Sequence, residues 1–113
     1  MRKDPYIFLE HIFDSIKKIE DFVRGLSKEN FLRSIQTQDA VIRRIEVIGE
    51  ASKNISISFK KKYKNVPWSE MARTRDKLIH GYFGVDLNLT FDIIKKDLPT
   101  LKKQIQEIIK NKT

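Results

Sequence analysis

A chain of 113 residues with 40% apolar and 34% charged positions is long enough for one hydrophobic core, too short for a second, and too apolar to stay disordered. Residues 1–113 are therefore read as one domain, and the absence of cysteine excludes disulfides, thiolate metal sites and cysteine nucleophiles. The formal net charge of +8 fits a polyanion such as RNA, an acidic protein, or plain solubility.

The first residues, Met1-Arg2-Lys3-Asp4-Pro5, lead into a segment interrupted by Glu10, His11 and Asp14. No apolar run resembling a signal peptide is present there. No stretch reaches the roughly 20 apolar residues of a membrane span. The expectation is a soluble, cytoplasmic protein that does not engage a membrane.

Asp4-Pro5 reads as a helix start, a capping side chain followed by proline at the first helical position. Phe8, Ile12, Ile16, Ile19, Phe22 and Leu26 then recur at three- and four-residue steps, with Phe13 and Val23 widening the stripe. This predicts a long amphipathic helix ending near Gly25. Ser27 can cap a short helix through Phe31 and Leu32. A third helix is predicted to begin around Thr37 to Asp39 and to run to about Asn54, on the apolar line Val41, Ile45, Ile48 and Ala51. Another turn or two is expected over 56–63, before a basic loop. Pro67 opens a helix through Trp68, Met71, Ala72, Leu78 and Ile79, which Gly81 and Gly84 end.

The last apolar series runs from Leu87 to Ile109, and Pro99 lies inside it. Proline lacks the interior donor, so a kink or restart is expected there with Asp97 as the new cap. No strand-like alternation of useful length appears. The predicted fold class is all-α: an antiparallel up-and-down helical bundle of about four main helices plus short ones.

Chemistry concentrates at one helix end, in Arg75-Asp76-Lys77-Leu78-Ile79-His80-Gly81-Tyr82. Arg75 and Tyr82 fall on nearly one line of an ideal helix, and His80 lies about 7–8 Å along the axis from Arg75. A phosphate bridging Arg75 and His80 is feasible. Metal-independent RNA cleavage needs a base for the ribose 2′-OH, an acid for the leaving oxygen and a cation for charge at phosphorus. Histidine titrates near neutrality and can take either proton role. Arginine grips phosphate oxygens in a fork. One such histidine supplies one proton-transfer group, so a symmetric dimer with two Arg75/His80 pairs would supply both. Taken alone, the same residues also fit structural roles: His80 capping carbonyls, Arg75 in a surface ion pair, Tyr82 packing beside Phe83. His11 reads as a solvated or rim histidine.

The pattern R-x4-H-x-Y followed by Phe83-Gly84-Val85-Asp86, the later Asp97-Leu98-Pro99 with Leu101 and Ile105, and the third-helix run from Ala40 to Ala51 resemble the HepT-like branch of the HEPN superfamily. The resemblance covers almost the whole chain, in order. It implies a helical-bundle, metal-independent ribonuclease toxin of a type II/VII-like toxin–antitoxin module, without a cofactor or a metal. It further implies a homodimer whose R-x4-H residues line a cleft between protomers. The partner would be an MNT-type nucleotidyltransferase antitoxin that transfers AMP from ATP to tyrosine.

Carried onto this chain, Arg75 and His80 become catalytic candidates, Asp76 a supporting residue that can orient Arg75, and Tyr82 the AMPylation site. A bulky anionic group on Tyr82 would obstruct an RNA phosphate. Arg43 and Arg44 are possible RNA contacts or a solvated basic face. The lysines of residues 60–64 can bind phosphates without specificity or meet an acidic face of the antitoxin. Trp68 reads as a core or dimer anchor. The alternative function is a non-catalytic helical subunit of a nucleotidyltransferase complex, binding RNA, nucleotide or protein.

Overall fold

The computed structural model describes the backbone of residues 4–80 and 87–112, and side chains for 4–74 and 87–112. Helix α1 spans Pro5–Val23. It starts where Asp4 Oδ1 accepts a hydrogen bond from the Tyr6 amide at 2.9 Å, satisfying one otherwise orphaned donor. Leu9, Ile12, Ile16 and Ile19 are fully buried and Val23 nearly so. Phe22, predicted to lie in this stripe, is 41% exposed instead. Ile19 and Val23 already hold the seam, and Phe22 lies about 100° around the helix from Val23. The chain leaves α1 through Gly25, whose φ of +76° suits a residue without a Cβ.

Helix α2 spans Lys28–Arg33, with Ser27 Oγ accepting from the Asn30 amide at 3.1 Å. The start predicted for the next helix is corrected: α3 spans Ile35–Lys53, and its cap is Ser34 rather than a residue between Thr37 and Asp39. Ser34 serves two helices. Its amide donates to the Phe31 carbonyl at 3.2 Å, and its Oγ accepts from the Thr37 amide at 3.2 Å. Gln38 is buried just beyond, with Nε2 donating to the Phe31 and Leu32 carbonyls, both at 3.0 Å. One amide thus satisfies two carbonyls at the end of α2. Gln38→Ala should therefore cost about 1–3 kcal/mol in urea unfolding, because it strips acceptors that lie in or near the core. A loss below about 0.5 kcal/mol would show that water replaces the amide freely.

Val41, Ile45, Ile48 and Ala51 are buried, as their spacing predicts. Helix α4, Ile57–Lys62, is capped by Ser56. Helix α5, Trp68–His80, follows Pro67, whose carbonyl accepts from the Met71 amide at 3.1 Å. Gly81 and Gly84, expected to end α5, lie outside the described residues. Helix α6 covers Leu87–Asp92 and α7 covers Leu98–Lys110.

Between α6 and α7, Ile93–Asp97 forms one π-helical turn, with the Leu98 amide donating to the Ile93 carbonyl. Asp97 is not a cap. Its backbone is helical (φ −88°, ψ −40°) and its side chain makes no capping bond. The widened turn relieves the clash between the Pro99 ring and the preceding turn without breaking the rod.

Helices α1, α3, α5 and α7 form an antiparallel up-and-down bundle: α3 lies between α1 and α5, and α7 packs against α1. The antiparallel pairing of α1 and α7 shows at both ends, in Lys102 Nζ to Glu20 Oε1 at 2.8 Å and Lys112 Nζ to Asp4 Oδ2 at 3.8 Å. Short α2 ties α3 to α6, with the Phe31 and Phe91 rings 5.4 Å apart. The fold is all-α, and no strand occurs among the described residues. None of their helices is long and apolar enough to cross a membrane.

Candidate functional site

Arg75, Asp76 and His80 all lie on α5, in its last two turns. Their side chains fall outside the described residues, and so does Tyr82 as a whole. What the fold contributes is the seating on both sides of this segment. Upstream, Trp68 is buried and its Nε1–H donates to the Tyr63 carbonyl at 3.0 Å, which fixes the first turn of α5. Met71 is buried one turn later, and α5 runs back along α3. Downstream, α6 is pinned to α2 through Phe91 and Phe31. Residues 81–86 therefore join two helices anchored on different neighbours.

Beside α5 lies a cleft of about 80 Å³ between α3, α5 and the π-helical turn. Ile45, Ile48, Met71 and Leu101 form its apolar wall, and Thr74, Glu70 and Asp97 add the polar part. Glu70 and Asp97 are both exposed at its edge. Glu70 and Asp97 carried no signal in the sequence as a pair, because only the packing of α5 against the π-helical turn brings them to one cleft.

Arg43 is 66% exposed and pairs with Glu46 at 3.5 Å. It lines a second groove, with Phe8 and His11 of α1 and with Glu46 and Glu50 of its own helix. It thus stands on the α1 side of α3, whereas Ile45 and Ile48 face α5. Arg44 is half-buried and falls between Ala51, which lines that second groove, and Ile48, which faces α5. His11 is exposed, its ring edge-on to Phe8 at 6.4 Å, as its place on the polar flank predicted. Trp68 is a core anchor. Among the described residues, no group of three or more histidine, aspartate or glutamate side chains converges to hold a metal ion.

The family model for "Ribonuclease HepT-like" proteins matches residues 12–108, a span that contains Arg75, His80 and Tyr82. The chain is 47% identical over 110 residues to "Probable ribonuclease HepT" of Thermococcus cleftensis, covering 97% of this chain and all of that protein. It is 51% identical over 116 residues to a Methanocaldococcus jannaschii protein named "Gamma-glutamylcyclotransferase and putative RNase". That match takes in 99% of this chain, which spans about half (52%) of that relative's length. A second protein of the same organism, named "Putative RNase", is 47% identical over 110 residues, covering 97% of this chain and 91% of its own. No solved structure matches the chain. With the model spanning most of the sequence and the helical bundle in place, the chain belongs to the HepT-like ribonuclease family.

Proposed function

We propose that this chain is a metal-independent endoribonuclease toxin of a type II/VII-like toxin–antitoxin module, cytoplasmic and homodimeric, with Arg75 and His80 as its catalytic residues. The observation that carries the reading is the R-x4-H spacing on α5 within a chain of the HepT-like ribonuclease family. In this mechanism one His80 takes the proton of the ribose 2′-OH, and O2′ attacks phosphorus. The P–O5′ bond breaks, and O5′ receives a proton from the second protomer's His80. Arg75 holds the non-bridging oxygens as their charge grows, while Asp76 orients its guanidinium. Arg43 and Arg44 are the candidates for a further RNA contact.

A dimer is favoured by the apolar side chains left open near the start of α3. Leu32 is 37% exposed and Ile35 72% exposed, at the end of α3 toward which α5 runs. The test is cleavage of RNA by the purified protein in the presence of chelator. RNA left intact under these conditions would sink the reading and favour a non-catalytic binding subunit.

The regulatory half of the proposal is that an MNT-type nucleotidyltransferase antitoxin transfers AMP to Tyr82. Co-expression with the antitoxin should add mass in AMP-sized steps on intact-mass measurement, and Tyr82→Phe should remove them. AMP-sized additions that persist in Tyr82→Phe would place the modification elsewhere.

A further inference from the structure

Residues 51–69 contain five lysines and no carboxylate, the strongest local charge imbalance away from the motif. Lys60, Lys61, Lys62 and Lys64 make no ion pair among the described residues. Lysines in the last turn of α4 complement its dipole, but one or two suffice for that, and Lys64 lies past the helix end.

These cations sit on a rigid seat. The Phe59 ring contacts Tyr63 at 4.9 Å, Tyr6 at 5.7 Å and Trp68 at 6.5 Å between centroids. Lys62 lies over Tyr63 at 5.4 Å, and Lys112 lies over Tyr6 at 4.8 Å. Burial pushes the Lys60 ammonium below its usual value, a cost that an anion beside it would offset. Next to the lysines is an open hollow of about 820 Å³ edged by Asp4, Asn54, Ser56, Ser58 and Lys62; the Asp4 carboxylate is already engaged by the Tyr6 amide and Lys112, and the asparagine and serines add neutral hydrogen-bonding groups to the cations.

From this arrangement we infer that the α4 end of the bundle is a second, sequence-independent binding site for the RNA backbone, which holds the strand while cleavage occurs at the far end of α5. The inference rests on RNA being the substrate. RNA fits better than an acidic protein because protein interfaces are anchored by exposed aromatic and apolar side chains and are depleted in lysine. Here the rings face one another, and Ile57 is the large apolar side chain that α4 exposes. The two ends of α5, Trp68 and His80, lie about 18 Å apart. The site therefore acts only on RNA long enough to reach it.

The test compares wild type with a variant carrying Lys60→Gln, Lys61→Gln, Lys62→Gln and Lys64→Gln. The readout is fluorescence anisotropy of labelled 2′-O-methyl RNA, which lacks the nucleophilic hydroxyl, so binding is measured without cleavage. With a strand of about 12 nucleotides the variant should bind about tenfold more weakly, and its salt slope should fall by about 3, at roughly 0.7 for each phosphate no longer neutralised. In cleavage of a trinucleotide, too short to span from the catalytic end to the lysines, the KM of the two proteins should differ by less than about twofold. The exposed pair Lys61→Gln and Lys62→Gln should show about half the change in slope and guards against a folding defect. Replacing all four by arginine should restore binding.

Unchanged affinity and slope would overturn the inference, and so would an equal rise in KM for cleavage of the trinucleotide. Weaker binding of a polyglutamate peptide with unaltered RNA binding would overturn it in favour of an acidic protein partner. If no RNA is cleaved yet the lysine-dependent binding holds, the catalytic reading falls and this one stands. If cleavage is present and KM for long RNA is unaffected by the four substitutions, this one alone falls.

Discussion

His80→Ala should lower RNA cleavage by about 10²–10⁴-fold, the range that a positioned proton-transfer group contributes, and Arg75→Ala by about 10²–10³-fold, the cost of losing a donor aimed at developing charge. Arg75→Lys should fall in between, since it keeps the charge but loses the fork that holds two phosphate oxygens. The stronger form of the prediction concerns the dimer. If one cleft needs His80 from both protomers, as base and as acid, then mixing wild-type and His80→Ala chains should lower activity as the square of the wild-type fraction. A linear decline would mean that each protomer cleaves independently. Activity surviving both alanine substitutions would remove the catalytic assignment altogether. The readout is initial cleavage rate in the presence of chelator, with circular dichroism to show that the helices persist.

The largest effect on stability is expected at Phe31→Ala, about 3–5 kcal/mol, by loss of a large buried side chain and the cavity left behind. Phe31 is fully buried on a helix of only six residues, so it supplies most of what holds α2 down. Its ring meets Phe91 of α6, and its carbonyl accepts from Gln38 of α3. For a chain of this size the loss corresponds to a Tm drop of roughly 12–30 °C. Because α6 leads directly out of residues 81–86, cleavage activity should fall along with stability even below the melting range. Phe31→Leu, which keeps most of the volume, should cost about 1–1.5 kcal/mol. A cost of less than about 1 kcal/mol for the alanine variant would mean that the α2–α6 corner collapses to fill the space.

Much of the fold was legible in the sequence because it depends on local patterns. The Asp4-Pro5 start, the Ser27 cap, the Val41-Ile45-Ile48-Ala51 seam and the four long helices follow from capping chemistry and 3.6-residue periodicity. The misreadings arose where two local signals competed. Ser34, Thr37 and Asp39 can all cap a helix, and the choice of Ser34 depends on Gln38 reaching back to the end of α2. Asp97 before Leu98-Pro99 resembles a restart, yet the chain absorbs proline in a π-helical turn. Such a turn depends on Ile94 and Leu98 both being held in the core. Phe22 fits the period of α1, but Ile19 and Val23 fill the seam first.

The sequence by itself determined the all-α bundle and the R-x4-H-x-Y constellation, because helix periodicity and motif spacing are properties of neighbouring residues. Only the tertiary structure decided that Arg43 pairs with Glu46 beside the α1 groove, and that Glu70 and Asp97 come together on an apolar cleft beside α5. It also decided that the lysines of residues 60–64 stand on an aromatic seat at the opposite end of α5 from His80. Each of these depends on which helices meet and at which register. That outcome is set by the packing of whole faces and is not written in any short stretch of chain.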